Sequence, residues 1–142
     1  MSLKKLNTVL ATLNVLFVLY LGVSFVLSPA TSTPDFGLPS WPSGDGGGFL
    51  VVKGFRDIAT GLALGALLMT GHRRALGWVL LLEAVAPFGD MLNVLAHHGS
   101  KAAAFGIHGL TSTLVAATGL LILRETGKAL KIAAPAPAAQ PA

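Results

Sequence analysis

Long apolar stretches alternate along this chain with short polar or glycine- and proline-rich breaks. Four of them, Thr8–Ser28, Phe49–Thr70, Ala75–Ala96 and Ala102–Leu123, reach the length of a membrane span. A helix rises about 1.5 Å per residue and needs about 20 residues to cross roughly 30 Å of hydrocarbon. The pattern therefore predicts an all-α fold, a four-transmembrane-helix bundle forming a single domain over residues 1–131. The first stretch follows Lys4-Lys5 and ends near Ser28-Pro29-Ala30, the outline of a signal peptide. Its apolar run exceeds the roughly 7–15 residues of a signal core, so it is read as a retained span.

Two connections stand out. Pro29–Gly48 carries Pro34, Pro39, Pro42 and the run Gly44-Asp45-Gly46-Gly47-Gly48, which predicts a loop without regular structure of its own. Phe36, Leu38 and Trp41 make that loop partly apolar. Aromatics of this kind rest at the headgroup level, and the alternative is a lid whose Trp41 reaches a ligand. Residues 132–142 are rich in alanine and proline and read as a disordered tail.

Composition supports a membrane solvent. Hydrophobic residues make up 53% of the chain and charged residues 11%, against about a quarter charged in soluble domains. With no cysteine, disulfides, thiolate metal sites and thiol redox chemistry are excluded. The formal charge of +4 needs no nucleic acid to explain it. Lys4, Lys5, Arg73, Arg74, Arg124, Lys128 and Lys131 lie just outside apolar stretches, where the positive-inside rule places both termini in the cytoplasm of a cell-membrane protein.

The candidate chemistry lies inside the spans. Lys53, Arg56 and Asp57 interrupt the second and Glu83 and Asp90 the third. A charge at mid-membrane costs roughly 2.5–3.5 kcal/mol even on lenient scales, so such a cluster reads as functional. Counted from the outer ends of their spans, Arg56, Asp90 and His108 lie about 9–10 Å deep and Tyr20 about 12 Å deep. All four spans thus bring a polar group to one level. Helical spacing puts Lys53, Asp57 and Thr60 on one face and turns Arg56 about 100° from Asp57. That arrangement predicts a Lys53–Asp57 pair and leaves Arg56 to reach Asp90. Glu83, Pro87, Asp90 and Asn93 or Val94 share a face of span three, where Pro87 frees the Glu83 carbonyl. His108, Thr111 and Ser112 form a polar strip on span four, and the glycines of Gly61-Leu62-Ala63-Leu64-Gly65 favour close helix approach. The adjacent pair His97-His98 diverges on a helix and lacks ligand spacing for a metal.

Gly54-Phe55-Arg56-Asp57, the turn Arg73-Arg74-Ala75-Leu76-Gly77, Pro87-Phe88-Gly89-Asp90 and His108-Gly109 resemble the pattern of domain of unknown function 4267. Its members are small four-span membrane proteins, similar in layout to DoxX-like proteins. The resemblance covers about residues 8–125. It implies a compact four-helix membrane bundle with Arg56, Asp57, Asp90 and His108 on the family's polar positions, and no activity. Glu83 and Tyr20 enter from spacing alone.

These residues predict a polar pocket in the outer half of the bundle. Asp57 or Asp90 would act as base, Arg56 would hold that carboxylate ionised, and His108 or a protonated Glu83 would donate a proton. Tyr20, Lys53, Asn93 and Trp41 would contact the ligand. A membrane lipid or hydrophobic small molecule undergoing isomerisation, cyclisation or epoxide opening fits, with neither metal nor organic cofactor implied and homo-oligomerisation left open. The rivals are a non-catalytic protein that binds a lipid or a partner's span, and a proton-coupled transporter using the ladder Asn93, Asp90, Glu83. The ladder crosses only part of the membrane.

Overall fold

A computed structural model describes residues 2–42 and 44–133, with side chains through 127. The expected tail lies outside the described residues from 134 onward. Helices dominate: α1 (Leu3–Leu27), the single turn α2 (Pro29–Ser32), α3 (Gly48–Met69), α4 (Arg73–Glu83), α5 (Val85–Ala96), the short α6 (Lys101–Ala103), a π-helical segment Ala104–Gly109 and α7 (Leu110–Ala133).

Three helical stretches are long and apolar enough to cross a membrane: Leu3–Leu27, Arg73–Ala96 and Lys101–Gly127. They make this an integral membrane protein. The expected four continuous helices become five of eleven residues or more among the described residues, because the third stretch breaks at Ala84 between α4 and α5. Pro87 has no N–H for the Glu83 carbonyl, and its ring crowds that carbonyl, so the break falls one turn ahead of the proline. The Ser112 hydroxyl donates to the Ala84 carbonyl at 2.9 Å, tying the break to α7. Helix α3 is long enough but carries Lys53, Arg56 and Asp57.

The helices pack as two close pairs. Between α1 and α3, a Cβ added at Gly54 would come within 2.7 Å of the Gly22 carbonyl oxygen, so the absence of side chains sets the approach. Between α4 and α7, a Cβ at Gly119 would come within 2.8 Å of the Gly77 carbonyl oxygen. Of the expected motif on α3, Gly61 sits against Leu19, whereas Gly65 has only ordinary contact with Val15. Toward the end that carries the α3–α4 turn, the inner end of the expected orientation, the pairs meet over a core of Ala11, Leu64, Leu76, Leu80 and Ile122. Toward the outer end α3 and α5 make no extended contact, and the two pairs part.

The inner end is also bolted by polar groups. Arg73 donates from Nε and Nη2 to the two oxygens of Glu125, both at 2.8 Å, and from Nη1 to the Thr8 hydroxyl at 3.2 Å. The Asn7 amide donates to Glu125 at 2.7 Å and to the Leu121 carbonyl at 3.1 Å. This cluster joins α1, α4 and α7. Arg73, read from sequence as a topological charge, is a structural partner.

Candidate functional site

Where the pairs part, a cavity of about 740 Å³ opens between them. Lys53, Arg56, Asp57, Glu83, Asp90 and His108 all line it, and with Asp35 of the loop one space collects seven ionisable groups drawn from four sequence stretches. Its inner walls are apolar and include Val18, Leu21, Leu64, Leu80 and Val115. The volume falls within the range of about 300–1,000 Å³ typical of small-molecule sites. A more open hollow beside Phe88, Met91, Phe105 and Leu110 has no ionisable lining.

On α3, Lys53 reaches one turn down to Asp57, with Nζ 2.6 Å from Oδ2, the pairing expected at i, i+4. The same ammonium lies 4.6 Å from the centre of the Phe25 ring, a cation–π contact that holds it against α1. The expected Arg56–Asp90 bridge is not formed: among the described residues no carboxylate oxygen lies within 4.0 Å of the Arg56 guanidinium. With α3 and α5 parted, Asp90 faces the π-helical segment instead. Its Oδ2 stands 3.9 Å from His108 Nδ1, ion-pair range and longer than a hydrogen bond. Of the two expected pairs only Lys53–Asp57 forms. Asp57 is the firmly held carboxylate and Asp90 the loosely held one.

His108 is placed by the π-helical segment, where Gly109 leaves room for Met91, whose sulfur would stand 3.0 Å from an added Cβ. The side chain is 9% exposed, and Nε2 donates to the Phe36 carbonyl at 2.8 Å. A carbonyl only accepts, so Nε2 carries a proton and Nδ1 is the atom turned to Asp90. The loop expected to lack regular structure therefore supplies a site contact. It forms short helical turns at Pro29–Ser32, Pro34–Phe36 and Gly44–Gly47. The Phe36 ring centre lies 4.5 Å from that of His108, and Trp41 packs edge-on to Phe36 at 5.4 Å. Gly37, at φ 95°, turns the chain so that its carbonyl accepts from the Ser100 amide at 2.8 Å. Through Ser32, Asp35 and Phe36 the loop forms one wall of the cavity, the position of a lid.

Three expected ligand contacts fall outside the cavity. On α1, Asn14, Phe17, Val18, Leu21 and Phe25 face inward, and Tyr20 is turned about 120° from the centre of that strip. It is 67% exposed. On α5, Val94 is fully buried and continues the strip above Asp90, whereas Asn93 is exposed, which removes the outer rung of the expected ladder. Trp41 sits one layer out, behind Phe36. Four lining groups were missed from the sequence: Asn14, Ser32, Asp35 and the Phe36 carbonyl. In the sequence Phe36 reads as an aromatic of the loop, and a backbone acceptor leaves no mark there.

No curated protein and no solved structure matches the chain. A family model does match, over residues 15–122, and this stretch holds the whole ionisable cluster. The chain belongs to the family described as domain of unknown function (DUF4267).

Proposed function

We propose that this protein is a four-span membrane protein with cytoplasmic termini that binds a hydrophobic small molecule between its helix pairs and performs acid/base chemistry on it. The observation that carries the reading is the convergence of Lys53, Arg56, Asp57, Glu83, Asp90 and His108 on one cavity with an apolar inner end. It also supports α3 as the fourth span, since its charges face that cavity and its partners and can avoid the full cost of meeting hydrocarbon.

Within the cluster the roles divide by partner. Asp57 is held by Lys53 at 2.6 Å and shapes the wall. Asp90, with no hydrogen-bond partner among the described residues, is the base that accepts a substrate proton. His108 Nδ1 shares that proton, with the ring held by the Phe36 carbonyl, and the proton returns to the substrate at a second atom. Glu83, one wall of the same cavity, is a second proton carrier. Removal and return of one proton is a complete isomerisation or cyclisation cycle.

Untargeted mass spectrometry of small molecules retained by gently purified protein tests the reading. Asp90→Asn keeps the shape of the site without its base. That variant should hold unreacted substrate where the wild type holds product or nothing. Equal loads of one molecule in both would favour a binding protein without catalysis.

A further inference from the structure

The cations of the cavity are not equivalent. Lys53 is occupied twice over, by Asp57 at 2.6 Å and by the Phe25 ring at 4.6 Å. Arg56 lines the same cavity, is exposed, and has no carboxylate within 4.0 Å among the described residues. It lies about 12 Å along α3 from Gly48, at a depth where an uncompensated guanidinium is costly. It also stands on the opposite flank of the α3 strip from Asp57, about 100° away, toward the side where α3 and α5 make no extended contact. Phe49, Val52 and Arg56 on α3 and Ala86 on α5 are both exposed and cavity-lining, which marks that gap as a mouth opening sideways. On the loop side the Phe36 carbonyl on His108 and the Gly37 carbonyl on the Ser100 amide tie the loop down, with Asp35 exposed at its edge.

From this geometry we infer that the ligand is a single-chain amphiphile with an anionic head, a carboxylate or a phosphate. It enters from the bilayer between α3 and α5, sets its head on Arg56 and lays its chain along Val18, Leu21, Leu64, Leu80 and Val115. A guanidinium presents five donors in a planar fork that matches both heads, and a lateral mouth suits a molecule that never leaves the membrane. The cavity volume of about 740 Å³ takes one chain rather than a whole two-chain lipid. This inference rests on the cavity being a ligand site and does not depend on catalysis.

The test uses the full chain in phosphatidylcholine nanodiscs, with hexadecanoate, hexadecyl phosphate and neutral hexadecanol as matched probes. Native mass spectrometry reads which probe is retained. The wild type should retain each anion at least tenfold over hexadecanol, and Arg56→Gln should erase that preference. Excess inorganic phosphate should not displace hexadecyl phosphate. Equal retention of anion and alcohol, a preference that survives in Arg56→Gln, or displacement by inorganic phosphate alone would each overturn the inference. Should Arg56→Gln fail to fold, Arg56→Lys replaces it: loss of the fork should lower anion retention severalfold, and unchanged retention would overturn the claim. Because the readout is retention, a protein that binds the anion and converts nothing supports this inference while contradicting the catalytic reading.

Discussion

The Phe36 carbonyl and the His108 ring are joined at 2.8 Å across 72 residues of sequence, so the lid and the buried imidazole form one unit. Lid position and ring orientation are therefore coupled. Gly37, next to Phe36, has φ 95°, and an added Cβ would meet that of Ala103 at 2.5 Å. Gly37→Ala should shift the lid and release His108 Nε2. Nitrogen NMR of a histidine-labelled sample should then show the His108 Nε2–H tautomer giving way to a mixture, with the other three histidines unchanged. An unaltered His108 signal would mean that the lid does not set the tautomer.

Two glycines of the α1–α3 seam predict opposite responses to the same substitution. Gly54→Ala drives a Cβ to within 2.7 Å of the Gly22 carbonyl oxygen and should cost about 1–3 kcal/mol through overpacking. Gly65→Ala meets only Val15 at 3.6 Å and gains up to about 1 kcal/mol from helix propensity. Unfolding titrations in mixed micelles should rank them on opposite sides of the wild type. Equal effects would discount Gly54 as the point of closest approach.

At the inner end, Arg73 and Glu125 form a two-pronged pair with side chains 16% and 15% exposed. Removing one partner leaves a charge alone, which costs about 3–5 kcal/mol for a buried pair, and removing both costs less. Arg73→Met and Glu125→Leu should each lower the melting temperature in detergent more than the double variant does. Additive losses would mean that the pair contributes no coupling.

How much of this was legible in the sequence depends on the kind of information each feature needs. Depth counting brings Arg56, Asp90 and His108 to one level because rise per residue is fixed, and the structure collects all three in one cavity, together with Lys53, Asp57 and the deeper Glu83. Depth says nothing of azimuth, which is why Tyr20 shares the level and faces away. Azimuth within one helix was also readable, as Lys53 and Asp57 demonstrate. Contacts between helices were not: Arg56 was matched to Asp90 on charge and depth alone, while the gap between α3 and α5 and the π turn at Ala104–Gly109 give Asp90 to His108. Arg73 and Glu125 lie 52 residues apart, and nothing local in either stretch announces the pair.

Topology is open to direct labelling, since the chain has no cysteine of its own. Ser40 and Lys101 belong to the lid side, and His72 lies in the turn between α3 and α4. Single cysteines at Ser40 and Lys101 should react with an impermeant maleimide from outside intact cells, and one at His72 only after lysis. The reverse pattern would invert the orientation.

The central claim is that Asp90 moves a proton on a molecule held in the cavity. Its most direct measurement returns the molecule retained by Asp90→Asn to wild-type protein in a bilayer and follows it by chromatography and mass spectrometry. The account predicts conversion by the wild type to a product of changed retention time, no conversion by Asp90→Asn, and slowed conversion by His108→Gln. A molecule recovered unchanged from the wild type, or an Asp90→Asn preparation that carries none, would contradict it.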